Sequence, residues 1–168
     1  MVDPQNMRDT LRFWASGVSV VTTMNNDKPA GMTASAFNSL SLDPPQIVVC
    51  LHKSAYTAQM IQQSGTFAIS LLSDDQRRVS ELFAGRIAVE DISSRFNGLD
   101  TITAITGPPI LSEAIAWLDC EVAKLHDGDT HWIIVGKVLA AGNSDARDPL
   151  IYFNRGYHQL GNSIEPGR

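Results

Sequence analysis

The sequence predicts a mainly β protein, an antiparallel barrel carrying a few short helices. Segments rich in β-branched and apolar residues recur along the chain, turn-forming residues join neighbouring segments as hairpins, and few helical stretches lie between them to serve as crossovers.

Taken in order, Arg8 to Ala15 is expected to form a short helix, with Leu11 and Trp14 on one side at i, i+3. Val18 to Met24 is rich in β-branched residues, and Asn25-Asn26-Asp27-Lys28-Pro29 is turn chemistry, so this strand and the next read as a hairpin. The stretch Gly31 to Pro45, GMTASAFNSLSLDPP, reads as a strand whose side chains become unusually small before a di-proline turns the chain. Gln46 to Leu51 follows as a buried strand. Ser54 can cap a helix running to Gln63, with Ala58 and Ile61 facing inward and Gly65 as the stop. Thr66 to Leu72 is the next strand. Asp74 to Phe83 reads as a second helix, with two acids in its first turn, Val79, Leu82 and Phe83 on one face, and Gly85 past its end. Arg86 to Thr106 has little periodicity and reads as a long excursion, a place where function often resides. Trp117 to Leu125, His131 to Ala141 and Leu150 to Phe153 complete the strands, and Gly161 to Arg168 is a tail.

Composition bounds the function. The 168 residues, 43% hydrophobic and 18% charged, fit one domain over residues 1–168 with its core at about residues 7–160. A net charge of −5 suggests neither nucleic acid nor an anionic membrane as partner, so any anion site must be local. No apolar run approaches the ~20 residues of a membrane helix, and the N-terminus has no basic-then-apolar signal pattern, so a cytoplasmic location is expected. Cys50 and Cys120 lie far apart in apolar runs and read as packed thiols. His52, His126, His131 and His158 have no HxxxH spacing, and no metal site is expected. Rossmann, P-loop and nucleophile-elbow motifs are missing from the sequence.

The chemistry concentrates in the small-residue block. Ala34, Ser35, Ala36, Ser39 and Ser41 leave backbone N–H groups and hydroxyls accessible to something flat and polar-edged. Lys53 and Ser54 arrive where a helix begins, a good place for a phosphate. Two readings stand at this point: tight packing between strands, or a slot for a flavin nucleotide.

Five spaced blocks bear on the choice: Gly17-Val18-Ser19-Val20-Val21-Thr22-Thr23, Gly31 to Pro45, Ile47 to Ser54, Gly128-Asp129-Thr130-His131 through Gly136, and Pro149 to Phe153 with Arg155-Gly156-Tyr157-His158. In this order, from about Met7 to Leu160, they resemble the signature of the short-chain flavin reductases, the reductase components of two-component flavin monooxygenases. One extra residue precedes His131 relative to the family's GDH strand. The resemblance implies the FMN-binding split barrel, a Greek-key barrel working as a homodimer. It implies an NAD(P)H-dependent flavin reductase that passes a hydride from nicotinamide to FMN or FAD and supplies a separate flavin-dependent monooxygenase. Competing readings are a flavin-binding electron carrier or redox sensor without turnover, and an unrelated β-barrel module with no flavin.

The resemblance also assigns residues. Thr33, Ala34, Ser35 and Ser39 lie against the flavin, with Cys50 and Leu51 contributing backbone beside it. Lys53, Ser54 and Thr57 hold its phosphate, although Ser54 is equally suited to a plain N-cap. Phe83-Ala84-Gly85 corresponds to the segment that closes over the flavin, while Phe83 also suits a core position. His158 is expected to orient the nicotinamide or influence protonation near the flavin, the alternative being a surface or interface histidine. His131 is a second candidate, weighted towards a structural hydrogen bond. Tyr157 and Arg155 serve either the dinucleotide or the dimer.

Overall fold

In the computed structural model, residues 2–144 and 147–162 are described. The first long pair of strands, β2 (Ser19–Asn25) and β3 (Lys28–Ala34), is preceded by α1 (Pro4–Leu11) and β1 (Ser16–Gly17). Then come β4 (Phe37–Leu42), β5 (Pro45–His52), α2 (Tyr56–Ser64), β6 (Thr66–Leu71) and α3 (Arg77–Phe83). A 3₁₀ turn (Ser93–Phe96) and the short strands β7 (Thr101–Ile102) and β8 (Ile110–Leu111) lead to the long hairpin of β9 (Ala116–Gly128) and β10 (His131–Asn143). β11 (Ile151–Phe153) and β12 (Gly156–His158) are the last strands among the described residues, and the part of the expected tail over 163–168 lies outside the described residues.

Seven strands form one antiparallel sheet in the order β3-β2-β6-β9-β10-β5-β4. Its two outermost strands, β3 and β4, are consecutive in the chain, joined through Ser35 and Ala36. Such a short link forces the ends of the sheet together. The sheet therefore wraps into a barrel that stays split between β3 and β4, as expected, with β2 beside β6 and β5 beside β10 supplying the non-sequential neighbours of a Greek key. The Cys50 amide donates to the Ala36 carbonyl at 2.9 Å and holds the link against β5.

The barrel core gathers Val21, Ile47, Val49, Leu51, Phe67, Ile69, Cys120 and Ile134, with Ala58 and Ile61 of α2 sealing one end. A second cluster under α3 contains Val18, Val20, Leu72, Phe83, Leu111 and Leu150. Gly31 and Gly136 let aromatic rings press onto the sheet: a Cβ at Gly31 would stand 2.7 Å from Phe83 Cε1. Arg95, on the 3₁₀ turn, donates through Nη1 to the carbonyls of Gly31 (3.0 Å) and Phe83 (3.2 Å). Burial lowers the pKa of this guanidinium. Asp119, fully buried, accepts from the amides of Ile105 and Thr106 and from the Thr106 hydroxyl. The excursion over 86–106 is thus tied to the barrel at two polar anchors.

Several expectations need correction. The first helix is Pro4–Leu11 instead of Arg8 to Ala15, because Pro4 is preset for the first helical turn and Asp3 stands extended before it. It buries nothing, and Leu11 and Trp14 are 55% and 74% exposed, so their i, i+3 spacing marks no core face. β5 alternates, with Ile47, Val49 and Leu51 buried and Gln46, Val48 and Cys50 half-buried, as befits a strand packed on one face. Ser54 does not cap α2. Ala55 occupies that position, and the Ser54 amide and hydroxyl both turn to His52 Nδ1, at 3.2 and 2.8 Å. Gly65 does end the helix, in the left-handed conformation that favours glycine (φ 72°). α3 begins only at Arg77, since Ser73 to Gln76 form a turn closed by the Gln76 side chain on the Ser73 amide.

Candidate functional site

The split between β3 and β4 opens onto three contiguous clefts that share Ser35. One, about 310 Å³, is lined by Trp14 to Ser19 on one side and by Phe37, Asn38 and Leu71 on the other. The next, about 430 Å³, lies under α1 between Leu11, Trp14 and Tyr152, with Arg8, Arg12 and Arg155 around it. The third, about 210 Å³, runs between Thr33, Ser80, Ala84, Arg86, Tyr152 and Tyr157. The exposed Ser35 is therefore the common wall of a groove whose floor is the link that splits the barrel. As sheet edges, β3 and β4 each have an outer side with no strand partner among the described residues, where backbone N–H and C=O groups can meet a ligand.

The walls of the third cleft are held by a polar chain. The Thr33 hydroxyl donates to the Ser80 carbonyl at 2.7 Å, and the Ser80 hydroxyl bonds Tyr157 Oη at 2.9 Å. Tyr157 packs edge-on to Tyr152, its register partner, with ring centroids 5.5 Å apart. Because side chains alternate along a strand, Tyr152 and Tyr157 share the groove face of their hairpin, and His158 belongs to the other face. The His158 ring packs on Phe153, with Nε2 3.1 Å from the Phe153 carbonyl.

The structure thus brings Thr33, Ser35 and Ala84 into the groove. Ala34 turns its side chain into the barrel core, and Phe83 is buried under α3 with its ring edge-on to Phe96. Gly85 adopts a left-handed conformation (φ 73°) just beyond α3, next to the groove residues Ala84 and Arg86. Ser39 is exposed on β4. Cys50 and Leu51 lie on β5, the latter in the core. Sequence reasoning missed Ser80, Tyr152, Arg8, Arg12 and Arg86, and left Tyr157 between two roles. Ser80 and Tyr157 are 77 positions apart, so no local pattern could pair them.

The corner between β5 and α2 lies beyond these clefts. Lys53 is pinned by its amide to the Thr130 carbonyl (3.0 Å), and its Nζ stands 4.5 Å from the centroid of the Trp132 ring. That ammonium donates to Asp127 Oδ1 at 2.5 Å, and the Asp129 amide donates to the same oxygen at 2.8 Å. The lysine hydrogen bond, then the amide, holds the Asp127 carboxyl below the usual carboxylate range. His52 and His131 face each other across the ladder with ring centroids 5.0 Å apart. His131 Nδ1 also lies 2.8 Å from the Thr130 hydroxyl, so both histidines are engaged locally. In the first turn of α2, Thr57 is buried and its hydroxyl has no partner among the described residues. A phosphate at this helix end would fit that want of a partner, which otherwise costs about 1–3 kcal/mol.

This is the arrangement of a β-barrel with an open, small-residue groove at its split. Residues 11–161 match the flavin reductase like domain, and the chain belongs to that family. It is 35% identical over 95% of its length to the FMN reductase (NADH) RutF of Yersinia enterocolitica, covering 86% of that protein. It is 32% identical to HsaB of Mycobacterium tuberculosis, the reductase subunit of a flavin-dependent monooxygenase, covering 98% of this chain and 84% of HsaB. Among solved structures, the NADH:FAD oxidoreductase SgcE6 of Streptomyces globisporus, in complex with NAD and FAD fragments, superposes with a TM-score of 0.87. That match is 29% identical and covers 98% of this chain and 99% of SgcE6.

Proposed function

We propose that this protein is an NAD(P)H:flavin oxidoreductase that supplies reduced FMN or FAD to a separate flavin-dependent monooxygenase. The observation that carries the reading is the Ser35-centred groove at the barrel split, within a chain that matches the flavin reductase like domain from residue 11 to 161. A bound flavin supplies the hydride-accepting N5, and the nicotinamide C4 supplies the hydride; the protein orients the two.

In this reading Thr33 and Ser35 lie against the flavin, and the unpaired edges of β3 and β4 offer hydrogen bonds to its polar rim. Ser39 and the Cys50–Leu51 backbone continue that wall. Lys53, Ser54 and Thr57 serve the phosphate by charge, hydroxyl and helix-end amides. The Phe83-Ala84-Gly85 segment borders the open side, its position held by Arg95 on the Phe83 carbonyl. A groove open to solvent suits a flavin that enters and leaves as a substrate.

His158 is the proposed residue for the nicotinamide side, with Tyr157 now the stronger neighbour because it lines the groove. His131, whose Nδ1 lies 2.8 Å from the Thr130 hydroxyl, stays a second candidate weighted towards a structural hydrogen bond. His158 faces away from its own groove, so its proposed role depends on the homodimer expected for this fold, where its exposed face meets the second copy. We read the chain as one domain acting in the cytoplasm. Among the described residues, no helix is long and apolar enough to cross a membrane.

The test is NAD(P)H consumption against riboflavin, FMN and FAD. Flavin-dependent oxidation of NADH or NADPH supports the reading, while flavin binding without oxidation returns the protein to the carrier class.

A further inference from the structure

Lys53 is the cation assigned above to the flavin phosphate, yet in this structure a carboxylate already occupies it. Asp127 reaches it from the end of β9, while Lys53 sits where β5 runs into α2, so the two meet only because β10 lies between their strands. The pair is not a loose surface encounter on the lysine side: that side chain is 28% exposed, its amide is pinned to Thr130 and its ammonium lies over Trp132. The carboxylate is held independently by the Asp129 amide, on the tight turn where Asp129 has φ 59°. This second hydrogen bond anchors the carboxylate beside the lysine.

From this geometry we infer that Asp127 is an internal competitor for the phosphate seat, a residue that sets how readily a phosphorylated flavin leaves. A phosphate reaching Lys53 must either displace this carboxylate or sit beside it, and both weaken binding. The first gives up a charge-assisted hydrogen bond, and the second places like charges within a few ångströms. The effect is confined to ligands that carry the phosphate, since the ring-binding groove at Ser35 lies elsewhere. For a reductase that hands flavin on, such a competitor favours release over retention. The inference rests on the assignment of Lys53 to the flavin phosphate.

The experiment is a set of equilibrium titrations with FMN and with riboflavin, which lacks the phosphate. Four proteins are compared: wild type, Asp127→Asn, Lys53→Ala and the double variant, each checked for its melting temperature. Asp127 is exposed, so the Asn variant is expected to fold, and Asp127→Ala serves as its duplicate. Asp127→Asn should lower the Kd for FMN about three- to tenfold, leave riboflavin unchanged, and lose its effect when Lys53 is already Ala. An unchanged FMN affinity, an equal gain for riboflavin, or the same gain in the Lys53→Ala background would overturn the inference while leaving the seat intact. If Lys53→Ala alone leaves FMN affinity unchanged, the seat is elsewhere and the inference falls with it.

Discussion

Ser35→Leu separates a ligand groove from mere strand packing. Ser35 is exposed in the two-residue link between the sheet edges, and it contributes to the lining of all three clefts, of about 310, 430 and 210 Å³. An isobutyl group here has no core to overfill, so the unfolding free energy of the ligand-free protein should change by no more than about 0.5 kcal/mol. The same group projects into the space proposed for the flavin ring. A steric block that raises the Kd for FMN at least tenfold corresponds to about 1.4 kcal/mol of lost binding. Urea denaturation of the flavin-free protein gives the first quantity, and flavin fluorescence quenching gives the second. A variant that loses 1–3 kcal/mol of stability, the usual cost of overpacking, while retaining FMN affinity would show that Ser35 packs the split and that the groove is not the flavin site.

Three further outcomes are expected. Gly31→Ala places a Cβ 2.7 Å from Phe83 Cε1 and 3.2 Å from Phe96 Cζ, so a loss of about 1–3 kcal/mol by urea denaturation should follow; unchanged stability would mean that Phe83 is free to move. Burial, and secondarily Asp119, pushes the Cys120 thiol from its ordinary 9.0 up to about 12. Between those values the unfolded chain has lost a proton that the folded chain retains, so this thiol's contribution to stability falls as pH rises through the window. Replacing Cys120 by Ala should flatten that part of the urea-midpoint profile, and an identical slope in the variant would contradict the assignment. His158→Ala should raise the KM for NAD(P)H or lower turnover with little change in flavin affinity; normal kinetics in a folded variant would leave His158 a structural partner of Phe153, and a monomer that still turns over would refute its interface placement.

The barrel was legible because its signals are local. Asn26 and Asp27 adopt the positive φ values, 49° and 59°, that their residue types allow in a tight hairpin, and Gly65 supplies the left-handed helix end. The small-residue block marked the split itself, since Ser35 and Ala36 are where β3 gives way to β4. Other features depend on contacts between distant segments. The Ser54 side chain was open to capping α2, but the His52 ring two residues back took its hydrogen bond instead. Arg95 stood in a stretch without periodicity, and only the folded chain shows its guanidinium under two carbonyls from β3 and α3. The apolar side chains at Leu11 and Trp14 imitated a core face although they line an open cleft.

The most direct test of the central claim is anaerobic mixing of catalytic amounts of the protein with excess FMN or FAD and NADH or NADPH, followed by flavin absorbance. A reductase with a dissociable flavin reduces many equivalents per protein, bleaching the whole flavin pool as nicotinamide is oxidised. Bleaching that stops at one equivalent would identify a carrier that holds its flavin, and a pool that stays oxidised would contradict the assignment of hydride transfer to this barrel.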